Sequence, residues 1–237
     1  MQEYFLLFTI FFMKKEKTSS YKTLYIIECF LSSILLYFSI WWQNTLSIYN
    51  DTSSIHSSVG DILFSIIPSI DLSYLYFGGI WIIALLGIIY GIYKEPLKIP
   101  LALTALSIFF IIRGICISST HIGIPPDHII PNIQGLGILQ FFRNDLFFSG
   151  HTGIPFLIAL LVWKDVFWRN IFLLASVIMA LTVISMRIHY TIDIIGAYFI
   201  TYGIFHISEK LYTLSSSFLV IYHAEINKNN PPKNKNN

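Results

Sequence analysis

Six long apolar stretches restrict what this chain can fold into. Each has 17 to 20 residues, close to the length of about 20 that a helix needs to cross the hydrocarbon core of a bilayer. The predicted spans are residues 23–42, 74–93, 101–119, 147–163, 168–186 and 190–208. Open sheet edges are too costly in lipid, and the spans lack the alternation of barrel strands. The sequence therefore predicts an all-α polytopic membrane bundle with six transmembrane helices.

The composition excludes the other common classes of protein. Charged residues make up 12% of the chain, against about 25% in ordinary soluble domains. The aromatic content of 16% excludes disorder for most of the chain. Cys29 and Cys116 are too few for a disulfide framework or a cysteine-rich zinc site. The net charge of +2, without a basic stripe, predicts no nucleic-acid partner.

Lys and Arg residues near the span ends predict the orientation, because cytoplasmic loops are enriched in them. Twelve of the fifteen lie before the first span, between the second and third, between the fourth and fifth, or after the sixth. These segments, and with them both termini, are assigned to the cytoplasm. The other three cations, Arg113, Arg143 and Arg187, fall toward the non-cytoplasmic face.

The same arguments divide the chain into three parts. Residues 1–22 form a cytoplasmic N-terminal segment, residues 23–210 a six-span membrane domain, and residues 211–237 a cytoplasmic tail with a disordered end. The apolar residues 4–13 are followed by positive charges rather than preceded by them, unlike a signal peptide. They are interpreted as an interfacial helix, with a partly inserted segment as the alternative.

Ionisable residues converge where four predicted spans end, just below the non-cytoplasmic face. They are Arg113, Arg143, His151, Arg187, His189 and Asp193. His189 and Asp193 are four residues apart and share one helix face. The carboxylate can fix the imidazole tautomer, which leaves the other nitrogen free to attack phosphorus. His151 can then protonate the leaving oxygen as a general acid.

The surroundings of these residues suit a phosphoryl group. The planar guanidinium group of arginine can donate two hydrogen bonds to a pair of phosphate oxygens, and its charge stabilises the transition state. Ser149 and Gly150 lead into a predicted helix start, where free N–H groups at residues 152–154 add to an anion site. The predicted catalytic residues are therefore His151, His189 and Asp193, and the predicted phosphate-binding residues are Arg113, Arg143, Arg187, Ser149 and Gly150.

Each feature also has a structural alternative. A single His at a membrane edge commonly packs as a polar residue, and an Arg at a span end commonly reaches toward headgroups. The coincidence of two histidines, one aspartate and three arginines at one face favours a catalytic site, because ionisable groups within a membrane cost free energy and commonly serve a function. The Glu28 carboxyl, inside the first span, is expected to contact a Ser or Tyr of a neighbouring helix.

The predicted outer loops carry further polar residues. His121, Asp127 and His128, within residues 120–142, line a headgroup entrance or belong to a solvated loop. The apolar residues 129–140 either roof the site or only anchor the helices. The first outer loop contains Asp51, His56, Asp61 and Asp71. Their spacing is not diagnostic of a metal ion, and no metal site is assigned.

Two segments resemble motifs of the sphingomyelin synthase family. Residues 144–152 resemble its third motif, Cys-Gly-Asp followed by three residues and Ser-Gly-His-Thr, with Arg143 and Asn144 in place of Cys and Gly. Residues 189–193, followed by Ala197 and Tyr198, resemble its fourth motif.

The other two motifs match less closely. Arg113, Thr120 and Pro125 keep the spacing of the second motif, and Asp61 alone represents the first, Pro-Leu-Pro-Asp. The resemblance covers residues 61–210. It identifies the chain as sphingomyelin synthase-like, of the C-terminal type within the type-2 phosphatidic acid phosphatase superfamily.

This resemblance implies an activity. His189 is expected to be the nucleophile, supported by Asp193, with His151 serving the leaving group and no metal or cofactor required. A phosphocholine or phosphoethanolamine headgroup would move from a glycerophospholipid to His189 and then to ceramide or diacylglycerol. The implied partners are a phospholipid donor and a lipid acceptor within the membrane.

Two other functions stay open at this point. A lipid phosphate phosphatase uses the same His/His/Asp set with water as acceptor. Its pattern expects an Arg six residues before the second His, where this chain has Val183, while Arg187 lies only two residues before His189. A transporter, scramblase or structural protein has no need of the three catalytic residues, and a transporter would show charges deep in its spans or broken-helix repeats.

Overall fold

The computed structural model describes residues 19–53, 56–131 and 145–229, which form six α-helices and no β-strand. The helices are α1 (Ser19–Ser53), α2 (Ser73–Tyr93), α3 (Ile99–Ser119), α4 (Gly150–Leu161), α5 (Val166–Ser185) and α6 (Thr191–Asn229). Short 3-10 helices, Ile62–Ser65 and Pro96–Lys98, lie in two connections. The predicted all-α fold is confirmed for the described part of the chain.

Five of the helices are long and apolar enough to cross a membrane, namely α1, α2, α3, α5 and α6. These five helices indicate an integral membrane protein. The fourth predicted span, residues 147–163, contains only α4, whose 12 residues extend about 18 Å, against a hydrocarbon core of about 30 Å. This helix starts late because Ser149 caps it, and the chain turns again at residues 162–164. A sixth membrane-crossing helix is therefore not confirmed.

The connections define two ends of the helix bundle. At one end, here called the site end, α1, α3 and α5 finish and α2, α4 and α6 begin. Backbone hydrogen bonds join the connections there: Gly123 N donates to Ser57 O over 2.9 Å, and Ile70 N donates to Ser185 O over 3.0 Å. The three connections at the site end therefore support one another.

The opposite end is joined through two tyrosines. The Tyr25 hydroxyl donates to the Pro96 carbonyl over 2.9 Å. The Tyr212 hydroxyl donates to Glu28 Oε2 over 2.8 Å and links α6 to α1. The expected tyrosine partner of Glu28 is thereby confirmed.

The α3, α4 and α6 helices pack closely just beneath the site end. Their shared core contains the buried residues Ala105, Phe109, Phe148, Leu157, Leu160, Ala197, Ile204 and Phe205. A Cβ atom added to Gly153 would lie 2.7 Å from Phe109 Cε2 and 2.9 Å from Thr201 Oγ1. The absence of a side chain at Gly153 thus lets the first turn of α4 sit deep between the two longer helices.

Several sequence-based predictions lie outside the described residues. These are the interfacial helix at residues 4–13, the position of Arg143, most of the apolar segment 129–140, and the end of the tail beyond residue 229. Of the apolar segment, Ile129 is described, and its amide donates to the Met186 carbonyl over 2.9 Å.

Candidate active site

A histidine–aspartate pair lies at the start of α6. His189 Nδ1 is 3.2 Å from Asp193 Oδ2, and the Tyr190 amide donates to the same oxygen over 2.9 Å. His189 and Asp193 are 2% and 0% exposed. A proton held on Nδ1 by this carboxylate leaves the Nε2 lone pair free, which is the arrangement that a nucleophilic imidazole requires.

Ser149 builds the start of α4, where His151 occupies the first turn. Its hydroxyl accepts the Thr152 amide over 3.3 Å, and its own amide donates to the Asp193 carbonyl over 3.2 Å. The Gly153 amide donates to the Ser149 carbonyl over 3.0 Å. The expectation of free N–H groups at residues 152–154 is therefore wrong, because α4 begins earlier, at Gly150, and Thr152 and Gly153 already have partners. Helices leave their first amides without intrahelical partners, which places any free donors at Gly150 and His151.

Arg113 reaches from α3 to the start of α4. Its Nε donates to the Phe148 carbonyl over 2.8 Å, and a Cβ atom at Gly150 would lie 3.6 Å from its Cζ. Arg113 Nη1 lies 2.9 Å from Asp145 Oδ1 and donates to Oδ2 over 3.1 Å. With 6% exposure, the guanidinium is held beside the first turn of α4 in one orientation.

Asp145 is a site residue that the sequence-based assignment missed. It belongs to the stretch that resembles the third motif, but its pairing with Arg113 joins residues 32 positions apart. Its place in that motif was the available signal.

His151 packs face to face with Tyr76 of α2. The two ring centroids are 3.9 Å apart and the ring planes differ by 26°. His189 and Arg113 are both close enough to act electrostatically on His151. His151 thus lies in one neighbourhood with the histidine–aspartate pair and the Arg113 guanidinium, and α2 contributes a residue that no motif indicated.

Arg187 is directed toward the connection at residues 56–72. Its Nη2 donates to the Phe64 carbonyl over 2.8 Å, and its guanidinium lies 4.5 Å from the centroid of the Phe64 ring. These contacts give Arg187 a structural partner, and its assignment to phosphate binding stays a prediction.

Asp61 caps α6 from the same connection. Its Oδ2 accepts the Thr191 amide and its Oδ1 accepts the Thr191 hydroxyl, each over 2.6 Å. Burial raises the pKa of Asp61, but the hydrogen bonds from Thr191 and Leu63 and the charge of Arg187 outweigh burial and lower this pKa overall. An ionised Asp61 therefore fastens the connection to the helix that carries Asp193.

Tyr190 joins two connections above the histidine–aspartate pair. Its hydroxyl donates to the Gly123 carbonyl over 2.9 Å and accepts the Val59 amide over 3.1 Å, and the residue is 1% exposed. Below the pair, the Ser176 hydroxyl donates to the Thr152 carbonyl over 2.8 Å and lies 3.2 Å from the Tyr198 hydroxyl. The site is thus supported from both sides.

The structure brings most of the predicted site residues together. Around the start of α4 and α6 lie Arg113, Ser149, Gly150, His151, His189 and Asp193, while Arg187 faces Phe64 and Arg143 lies outside the described residues. Within the described ranges, no group of three or more His, Cys, Asp and Glu residues is arranged to hold a metal ion. The site is therefore characterised by its histidines, its carboxylates and one buried arginine.

Comparison with known proteins adds one match. Residues 144–210 match the family model described as PAP2 superfamily C-terminal, a segment that contains His151, His189 and Asp193. No curated protein and no solved structure matches the chain. PAP2 superfamily members are generally phosphatases or phosphotransferases, so the match suggests an enzyme that acts on lipid phosphates in membranes. The match supports a relation to the type-2 phosphatidic acid phosphatase superfamily.

Proposed function

We propose that this protein is a lipid phosphotransferase of the sphingomyelin synthase type. It moves a phospho-headgroup from a glycerophospholipid to ceramide or diacylglycerol through a phosphorylated His189. The observation that carries the proposal is the buried contact between His189 Nδ1 and Asp193 Oδ2 at 3.2 Å, beside His151 and Arg113. The site faces the non-cytoplasmic side, both termini are cytoplasmic, and residues 23–210 form the catalytic domain.

In the first step, His189 Nε2 attacks the phosphorus of the donor lipid. The N–P bond forms as the bond from phosphorus to the glycerol oxygen breaks, and His151 gives its proton to that oxygen. Asp193 holds the Nδ1 proton and stabilises the positive charge that develops on the ring. Diacylglycerol leaves, and the headgroup phosphate stays on His189.

Arg113 stabilises the charge on the phosphoryl oxygens during this step. Its Nε stays with the Phe148 carbonyl, while the phosphate takes over the Nη donors that Asp145 now engages. Such planar, charge-assisted pairs are strong in a water-poor site. The ion pair with Asp145 therefore keeps the guanidinium oriented until the substrate arrives.

In the second step, the acceptor hydroxyl attacks the phosphorus on His189. His151, now without its proton, takes the proton of that hydroxyl, and the N–P bond breaks. With a phosphomonoester such as phosphatidic acid as donor and water as acceptor, the same residues would perform the phosphatase reaction. The donor ester and the acceptor together separate the two functions.

Product analysis with purified protein in phospholipid vesicles tests this proposal. Vesicles contain headgroup-labelled phosphatidylcholine or phosphatidylethanolamine, with and without ceramide or a diacylglycerol whose acyl chains differ from those of the donor. We expect a labelled lipid product that requires the acceptor. Labelled free phosphocholine or phosphoethanolamine in equal amounts with and without acceptor would show hydrolysis in place of transfer, and release of inorganic phosphate from phosphatidic acid instead would assign a phosphatase.

A matched pair of histidine variants controls this experiment. His189→Ala should abolish turnover, whereas His206→Ala, within α6 and with a side chain that is 52% exposed, should retain it. Turnover that persists in His189→Ala would exclude the proposed mechanism.

A further inference from the structure

Tyr76 is held rigidly at the site end of α2. The start of this helix is fixed by Asp71 Oδ1, which accepts the Ser73 amide over 2.9 Å and the Ser73 hydroxyl over 2.6 Å. Tyr76 is 8% exposed and packs with Val183 and Met186 at the end of α5. Its ring therefore has little freedom to move.

The contact with His151 is closer than most aromatic pairs. Centroid separations of about 4.5 to 7 Å are usual, whereas these rings are 3.9 Å apart and 26° from parallel. A side chain stacked in this way occupies a face of the imidazole and leaves both nitrogens at the ring edge. The contact opposes rotation of the ring about its Cβ–Cγ bond, which is otherwise a soft torsion.

Ring orientation matters for the task that the proposed function gives to His151. A general acid must lie within about 3 Å of the oxygen that it protonates, and a displacement of about 1 Å can lower a rate on the order of 10²-fold. A phenol face packs against neutral imidazole and also attracts imidazolium. The stack is thus compatible with both protonation states of His151.

We propose that Tyr76 is a positioning residue, whose stacked ring holds His151 in the orientation that delivers its proton to the leaving oxygen. The inference rests on the proposed function and adds a residue outside the matched segment. The phenol hydroxyl takes no part in the step, and the proton comes from His151 alone.

Leaving-group chemistry tests this role. The leaving group of a glycerophospholipid is the alkoxide of diacylglycerol, which needs a proton. The leaving group of a 4-nitrophenyl ester of phosphocholine is the stable 4-nitrophenolate, which needs none. The measurement is the rate of the first turnover, as diacylglycerol or as nitrophenolate released. We expect Tyr76→Leu to lower the lipid rate on the order of 10²-fold and the nitrophenyl rate by less than about 3-fold, since general acid catalysis is then dispensable.

Three variants complete the design. Tyr76→Phe keeps the ring and should match the wild type with both donors. Tyr76→Met fills the volume without a ring and should reproduce Tyr76→Leu, which keeps the test valid if the leucine variant does not fold. Tyr74→Leu, on the same turn and 78% exposed, is the control and should not change either rate.

In a His151→Ala background, Tyr76→Leu should cause no further loss, because the two residues act as one unit.

Two results would overturn the positioning role while the proposed function stands. One is an equal loss with both donors, which indicates a structural role only. The other is a loss in Tyr76→Phe confined to the lipid donor, which indicates that the hydroxyl acts. Failure of the proposed function itself is recognised separately, because diacylglycerol release would then be absent from the wild type or would persist in His189→Ala.

Discussion

At the residue scale, the proposed function assigns phosphate binding to the Arg113 guanidinium. Its Nε is committed to the Phe148 carbonyl, and its Nη1 is shared with Asp145. Arg113→Lys keeps the charge but loses the planar fork. We expect kcat/KM for the lipid donor to fall on the order of 10²-fold, the loss typical for one transition-state donor.

A conservative arginine variant at the opposite end is the control for this prediction. Arg169 lies over the Trp163 ring, 4.8 Å from its centroid, and Arg169→Lys should leave kcat/KM unchanged. Equal activity of the Arg113→Lys variant and the wild type would show that the guanidinium does not contact the transferred group.

Asp61 predicts a dependence of stability on pH. Because its folded-state pKa is lowered, its contribution is complete above the ordinary value of about 3.9 and is lost as pH falls through the folded value. Asp61→Asn removes an acceptor from Thr191, and loss of a helix cap costs about 1 kcal/mol, or roughly 2–4 °C in Tm. Thermal unfolding should show this gap at pH 7 and a smaller gap at pH 3. A difference in Tm that is constant with pH would contradict this role of the ionised Asp61 carboxylate.

The predictable part of the site is local in sequence. His189 and Asp193 were paired from their spacing alone, and they do meet, although His189 precedes α6 and the carboxylate of Asp193 in the first turn reaches back to it. The contacts of Asp61 with Thr191 and of Tyr76 with His151 join residues 130 and 75 positions apart. Periodicity contains no information about such pairs, so the structure was needed to find them.

At the element scale, α4 shows why hydropathy alone does not give the length of a helix. Apolar residues continue on both sides of this helix, but the Ser149 cap and the turn at residues 162–164 fix its ends. Hydropathy measures apolar content and not the caps. At the site end, the bounds of α2, α3, α5 and α6 were located to within about one residue, because there apolar content and helix length coincide, whereas α1 continues to Ser53, well past its predicted end at residue 42.

The depth of α4 depends on Gly153. A Cβ atom there would meet the fully buried Phe109 ring at 2.7 Å, and overpacking of this kind costs about 1–3 kcal/mol. We expect Gly153→Ala to lower the thermal unfolding temperature of the protein in detergent. Gly203→Ala is the matched control, because a Cβ atom at Gly203 would meet nothing within 4 Å. Equal unfolding temperatures for the two variants would contradict the packing described.

At the scale of the whole molecule, the predicted catalytic residues lie at one end of the bundle, and the described ends of the chain, near residues 19 and 229, lie at the other. The predicted orientation puts the site end on the non-cytoplasmic face. In a background with Cys29→Ser and Cys116→Ser, a cysteine at Ser58 should react with an impermeant maleimide from outside intact cells. A cysteine at Lys94 should react only after permeabilisation, and the reverse pattern would invert the topology.

A covalent bond between phosphorus and His189 is the step on which the proposed function depends, and this bond can be trapped. Purified protein is mixed with a donor phospholipid carrying radiolabelled phosphorus, without acceptor, and quenched within one turnover. The account predicts label on the peptide containing His189, stable in alkali and lost in acid, as a P–N bond requires. Asp193→Asn should slow labelling on the order of 10⁴-fold, as for the orienting carboxylate of a serine protease, and His189→Ala should show none. Turnover by the wild type without any labelled enzyme, or label that persists in His189→Ala, would contradict the account.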